Sequence, residues 1–434
     1  MTPRRQLLEK QTMSAPQTRS NKLARAIEDA HAWEPRIEAW AHLSDEAELM
    51  ALETASAAGR LQGVPVAVKD IIDVAGQPTG YGSRRFAEAG PAERDAAVVA
   101  ALRHAGAIAI GKTRTTEFAF IDPTISRNPY DPRHTPGGSS SGSGAVVGAG
   151  IVPLALGTQT AGSLIRPACY SGVTAYKPSL DLLPADGVAP LARSFDQVGV
   201  IAQSFDWIET VFPVLETVFR RTIAASPATA AERLEIAILE VPEQSPQEDQ
   251  VAAFDAAAAR FAAMGHTITR RPSPVSFKEL LDLHRTIMLF EAARDLTAFL
   301  DGSRHGLQPK ISAALDEGAR IEPDAYRKAS ACLVDARDVF WKALSGIDLV
   351  LAHPVPGGAP RDLTQTGDQS YLSPWTALGG PLTCAPIGLD AHGLPLAAMF
   401  AAAPDTDRRL IAHSAALAGA LPTIARPALG TGTD

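Results

Sequence analysis

Two glycine- and serine-rich turns hold the residue types best suited to covalent chemistry: Gly137-Gly-Ser-Ser-Ser-Gly-Ser-Gly144 and Gly157-Thr-Gln-Thr-Ala-Gly-Ser163. Such turns let backbone approach a substrate closely, and their successive N–H groups can stabilise an oxyanion developing on a carbonyl oxygen. Ser163, at the end of the second turn, is a candidate nucleophile. No ordinary His-Asp partner accompanies it: of the ten histidines only His134 lies near either turn, and it precedes the glycines in a proline-flanked loop. Lys69, at the end of an apolar run, could act as base if burial kept it neutral. It could equally reach solvent or pair with Asp70. The segment Gly106-Ala-Ile-Ala-Ile-Gly-Lys112-Thr113 satisfies the phosphate-loop pattern GxxxxGK[ST]. Its middle residues are strand formers, whereas a phosphate loop needs turned backbone with N–H groups aimed at phosphate. Nucleotide binding through Gly106 to Thr113 is therefore a minor alternative.

The elements that must carry these residues alternate between helix and strand. Asn21 to Ala58 reads as helical, with Leu23, Ile27, Ala30 and Trp33 at three- to four-residue spacing and an interruption at Pro35. Gly63 to Asp70 is a short β-branched strand ending in two charges. Helix Ala96 to His104, strand Ala107 to Ile110, a helix opened by the first glycine-serine turn, and strand Ile151 to Leu156 follow. Later come strand Leu234 to Leu239, helix Val251 to Met264, helix Ala325 to Leu344, strand Ile347 to Ala352, strand Leu394 to Phe400, and a last helix capped by Asp405. This alternation predicts an α/β fold: one domain with a central mixed, mostly parallel sheet covered by helices on both faces. The expected division is a flexible extension over residues 1–20 and a single domain over 21–434, with a core at 63–200 and a variable substrate-pocket region at 210–340.

At 434 residues, 46% hydrophobic and 20% charged, the chain can bury a substantial core, and global disorder is excluded. A net charge of -8 without a basic tract argues against nucleic acid as a partner. Neither a signal peptide nor an uninterrupted apolar span is evident, so no membrane association is expected. Cys169, Cys332 and Cys384 are far apart, suggest neither a zinc site nor a disulfide framework, and suit a reduced cytoplasm. Met13 offers a second start, which leaves the first twelve residues without an assigned role.

The two turns, with Gly157-Thr-Gln-Thr-Ala-Gly-Ser-Leu-Ile-Arg-Pro-Ala168 running on to Lys177-Pro178, resemble the amidase signature family. Gly63 to Asp70 matches that family's lysine strand, and Pro190-Leu-Ala-Arg-Ser-Phe-Asp-Gln-Val-Gly199 matches a further element. The resemblance is strong over 63–200 and weaker from about 345 onward, Gly393-Leu-Pro-Leu396 included. It implies the amidase signature fold and hydrolysis of a small-molecule carboxylic amide without a cofactor or metal. Lys69 would be the base, Ser139 a bridging serine after a cis Gly138–Ser139 peptide, and Ser163 the nucleophile that forms an acyl-enzyme. The N–H groups around Thr160, Ala161, Gly162 and Ser163 would form the oxyanion hole.

Many members carry Asp-Thr-Gly-Gly-Ser before the nucleophile and Arg two positions after it. This chain has Gln159-Thr-Ala-Gly-Ser163, and its Arg166 stands one position later. Arg166 is expected to anchor the nucleophile turn and Asp196 to pin a loop, while Ser140, Ser141 and Ser143 should satisfy helix-start N–H groups. His284, His353 and Trp375 fall where relatives build the acyl pocket, but read as core or surface residues; Cys169 reads as a small buried one. A glutamine-dependent transamidase subunit is the main alternative function, esterase activity is an expected side reaction, and a homodimer is left open.

Overall fold

The computed structural model describes residues 17–223 and 233–429. Most of the expected extension over 1–20 lies outside the described residues, and its last four residues open helix Gln17–Ile37. Eleven strands form one sheet: β1 (Trp40–Leu43), β2 (Pro65–Lys69), β3 (Ile108–Thr113), β4 (Leu154–Gln159), β5 (Thr174–Lys177), β6 (Gln197–Ala202), β7 (Glu235–Glu240), β8 (Thr267–Pro272), β9 (Leu349–Ala352), β10 (Leu382–Leu389) and β11 (Pro395–Ala401). Their spatial order is β1-β3-β2-β4-β6-β5-β10-β11-β9-β7-β8. Side-chain alternation sends Val66, Val68, Leu154 and Leu156 to one face and Ala67 and Ala155 to the other. Helices Ala97–His104, Phe205–Glu216, Glu248–Ala263 and Asp407–Ala418 cover the first face. Helices Gln17–Ile37, Ser141–Gly148, Ile165–Tyr170, Phe277–Glu291, Pro309–Gly318 and Pro323–Ala343 cover the second.

The sheet is mixed, as the alternation implies, but its parallel share is smaller than expected. Parallel pairing joins β3 to β2, β2 to β4, β9 to β7 and β7 to β8, whereas the other six pairings are antiparallel. The reason lies in the connections. A parallel neighbour needs a long crossover, usually a helix, but no helix intervenes between β5 and β6, and β10 turns into β11 within a few residues around Gly393 (φ +77°). The helical reading of Asn21 to Ala58 also fails in part. Pro35 is accommodated in the last turn of Gln17–Ile37, and the four-residue β1 precedes a separate helix, Glu46–Ala55. Strand β8 carries Arg270 and Arg271 at the sheet edge, where no apolar pattern is required.

The parallel block β3-β2-β4 positions the candidate chemistry, because its carboxyl ends lie side by side. Lys69 ends β2, and the Gly157 to Ser163 turn leaves the end of β4. Helix Ser141–Gly148 crosses between β3 and β4 in direct contact with neighbouring backbone. A Cβ at Gly142 would meet Arg114 N at 2.7 Å, and one at Gly144 would meet Pro167 O at 2.8 Å. The glycines of the first turn are therefore a packing requirement as well as a turn signal.

Candidate active site

Lys69 is fully buried, and its Nζ lies 2.7 Å from Ser139 Oγ and 2.7 Å from Thr158 Oγ1. It does not pair with Asp70. That carboxylate instead meets Lys112 Nζ at 3.1 Å and accepts from Gly80 N at 3.1 Å. Burial pushes the Lys69 amine well below its ordinary value, opposed by the negative charge of Asp196. In neutral form its lone pair can accept the Ser139 hydroxyl proton, so the same contact serves either direction of proton transfer.

The two turns are laced together. Ser140 N donates to Ser163 O at 3.2 Å, Ser140 Oγ donates to Thr158 O at 3.2 Å, and Thr158 N donates to Ser140 Oγ at 3.3 Å. The Gly138–Ser139 peptide is cis. Ser139 is fully buried, whereas Ser163 retains 6% exposure at the surface of the turn. Ser140 and Ser143 do not satisfy helix-start amides as expected. Ser140 makes no capping bond, and Ser143 Oγ donates to Leu156 O at 3.0 Å, so both hydroxyls fasten the helix to β4.

The amidase family profile matches residues 22–411, nearly the whole chain. The chain belongs to the amidase family. It is 31% identical over 387 residues to 2-amino-5-chloromuconic acid deaminase of Comamonas testosteroni, covering 81% of this chain and 80% of that protein. It is 29% identical over 468 residues to a glutamyl-tRNA(Gln) amidotransferase subunit of Rhodopirellula baltica, with 93% of each covered. Among solved structures, peptide amidase from Stenotrophomonas maltophilia superposes with a TM-score of 0.78 at 25% identity, covering 95% of this chain and 96% of that one. The 6-aminohexanoate cyclic dimer hydrolase superposes at 0.85 with 23% identity, covering 97% and 96%, a likeness of fold. The protein is thus an enzyme of amide C–N bond chemistry.

In this amidase the departures around the Gly157 to Ser163 turn acquire a physical account. Gln159 Oε1 accepts from Leu164 N at 3.1 Å and Ile165 N at 3.0 Å, and its Nε2 donates to Thr376 Oγ1 at 2.9 Å. An uncharged amide suffices to satisfy the first N–H groups of helix Ile165–Tyr170. Ala161 has no positive φ, so it takes the place of a glycine without strain. Arg166 is buried and bridges the turns, donating from Nη2 to Gly138 O at 2.8 Å and from Nη1 to Asp368 O at 3.1 Å. Asp196 accepts from Thr160 Oγ1 at 2.6 Å and from the amides of Leu191 and Ala192 at 2.8 and 2.9 Å. Burial pushes its carboxyl up to about 6 against those hydrogen bonds.

Of the three residues that the resemblance sets near an acyl pocket, His284 comes to the Gly157 to Ser163 turn, with Nε2 2.8 Å from Thr160 O, and its ring packs on Phe195. Trp375 is buried against Phe277 and Phe340. His353 stacks on Phe254 and contacts Gln250. Cys169 is buried with a free thiol. Thr376 was not singled out by sequence, and Thr158 was quoted only as a member of the second turn; only the fold reveals what their hydroxyls meet. The last helix is not capped by Asp405, which pairs with Arg221 at 2.6 Å. Lys112 lies within β3, donating to Thr79 Oγ1 at 2.8 Å, so the phosphate-loop pattern is part of the sheet. Among the described residues, no cluster of three or more His, Cys, Asp or Glu could hold a metal ion, and no helix is long and apolar enough to cross a membrane.

Proposed function

We propose that this amidase hydrolyses a small carboxylic amide through a Ser163 acyl-enzyme, with Ser139 and Lys69 as its proton relay. The observation that carries this reading is the 2.7 Å contact between Lys69 Nζ and Ser139 Oγ in a fully buried setting beside the Ser163 turn. Ser163 Oγ attacks the amide carbonyl carbon; its proton passes to Ser139 Oγ as the Ser139 proton passes to Lys69 Nζ. The N–H groups of the Thr160 to Ser163 turn receive the oxyanion. Collapse breaks the C–N bond, and the relay returns the proton to the departing nitrogen. Water then attacks the acyl-enzyme by the same route in reverse. The reading extends to a single functional domain over 21–434 and a reduced cytoplasmic setting, which the free Cys169, Cys332 and Cys384 suit.

A second reading, an amide-cleaving component of a larger assembly, draws on the similarity to the glutamyl-tRNA(Gln) amidotransferase of Rhodopirellula baltica. Ammonia or amine release by the purified chain alone, across aliphatic, aryl, amino-acid and urea-type amides, separates the two. A fluorophosphonate probe is expected to mark Ser163 by peptide mapping, with Ser139→Ala lowering turnover by about two to four decades, the scale of a lost proton-transfer group. An adduct on Ser139 or Ser143 with Ser163→Ala fully active would defeat the mechanism.

A further inference from the structure

The peptide unit carrying the Ala161 N–H is the one whose carbonyl belongs to Thr160, and the unit carrying the Gly162 N–H has the Ala161 carbonyl. Each carbonyl is held from behind by a side chain. His284 Nε2 lies 2.8 Å from Thr160 O, and Thr376 Oγ1 donates to Ala161 O. A carbonyl can only accept, so His284 carries its proton on Nε2; burial pushes its pKa down to about 4, which keeps the ring neutral. Both holders are themselves fixed. The His284 ring packs on Phe195 with centroids 4.3 Å apart, and Thr376 Oγ1 accepts from Gln159 Nε2 at 2.9 Å. Among the described residues, the amides of Ala161, Gly162 and Ser163 have no protein acceptor, whereas those of Leu164 and Ile165 do. Two adjacent peptide planes are thus bonded on the carbonyl side and free on the amide side.

We infer that His284 and Thr376 are positioning residues for the oxyanion hole, each locking one peptide plane so that its N–H faces the developing charge. This rests on the proposed oxyanion role of Ala161 and Gly162. The physical basis is twofold. A locked donor needs no reorganisation as charge appears, and a hydrogen bond to the carbonyl polarises the amide and strengthens the N–H as a donor. In this assignment each acts through the peptide carbonyl it holds. They come from distant parts of the chain, His284 from helix Phe277–Glu291 and Thr376 from helix Ser373–Ala377.

The test measures second-order labelling of Ser163 by a fluorophosphonate, whose phosphoryl oxygen takes the oxyanion position as the Ser163 O–P bond forms and fluoride leaves. The affinity of phenylboronic acid, which forms a tetrahedral anionic adduct, is read by competition. Thr376→Val and His284→Met are expected to slow labelling by about tenfold to a hundredfold, the effect of a modest misplacement, and to weaken boronate binding by a matching factor. Probe affinity before the covalent step should hold, and Thr376→Ser and His284→Gln, which retain a donor of suitable reach, should recover most of the loss. Circular dichroism checks folding, and because the two clamps sit on separate helices either variant alone decides. If either Thr376→Val or His284→Met folds and labels at the parental rate with unchanged boronate affinity, the clamp at that residue is overturned while the acyl-enzyme reading stands. If Ser163→Ala labels as fast as the parent, that reading itself falls, whatever the clamp variants do.

Discussion

At the scale of single residues, the consequential quantity is the charge state of Lys69. Removing an ammonium from water without a carboxylate partner disfavours the charged form, which is why burial outweighs the opposing pull of Asp196. Rate should therefore rise with pH as Lys69 loses its proton, then level off. Lys69→Met, similar in length and unable to ionise, is expected to abolish that limb together with most of the turnover. Linkage sets the sign for stability. With its folded pKa below the unfolded one, the native protein binds fewer protons than the unfolded chain, so stability rises with pH between the folded pKa and about 10.4. Lys69→Met should thus gain stability over the parent as pH falls through that window, and urea titrations at several pH values would read the gain. A parental pH profile in Lys69→Met would make the lysine structural. Ser163 and Lys69 were marked as candidates by local signals, turn composition and a strand-end charge, and Ser139 by the family resemblance; the structure brings Lys69 to Ser139. The contacts of Gln159, Thr158, His284 and Thr376 were not legible, because each acts on backbone or hydroxyl groups that only tertiary packing brings near.

At the scale of elements, the helix that follows Ser163 depends on a side chain of the preceding strand. Ile165–Tyr170 has only six residues and no capping side chain of its own, so the Gln159 amide supplies acceptors for its first N–H groups. Gln159→Ala leaves those buried amides unpaired and is expected to cost about 1 to 3 kcal/mol of stability. Urea unfolding at neutral pH measures the cost, and a loss below a few tenths would mean that water or relaxation replaces the acceptor. Strand and helix alternation was legible where apolar runs are clean, as in β2, β3 and β9. It misled where short strands hide in polar or helix-like sequence. Trp40–Leu43 offers one buried and one exposed position before two half-buried ones, too brief for a period-two pattern. The antiparallel pairings were hidden for a related reason: pairing direction is decided by the connection between strands, not by the strands' own residues.

At the scale of the whole molecule, the embedding of Lys112 in the sheet carries a further expectation. Its backbone belongs to a ladder with β1 and β2, and its ammonium is held by Asp70, Thr79 and the Pro78 carbonyl. ATP at millimolar concentration should therefore leave the thermal midpoint unchanged, whereas a binder at one hundred times its Kd would add about 2.7 kcal/mol. A dose-dependent rise would reopen the nucleotide reading. On the proposed relay, the parallel register that sets Val68 beside Leu156 would also set when the enzyme can first work after synthesis. Lys69 and Thr158 are separated by 89 residues, and their contact exists only once β2 and β4 are zipped in that alignment. A one-residue slip would turn Lys69 to the opposite face. Bringing distant strands together must overcome loop-closure entropy before it is rewarded, so such pairing is slow relative to helix formation. Catalytic competence is then expected late in refolding: stopped-flow circular dichroism should show helical signal returning first, with fluorophosphonate reactivity at Ser163 following as the non-local ladder closes, and simultaneous recovery of the two would overturn that order.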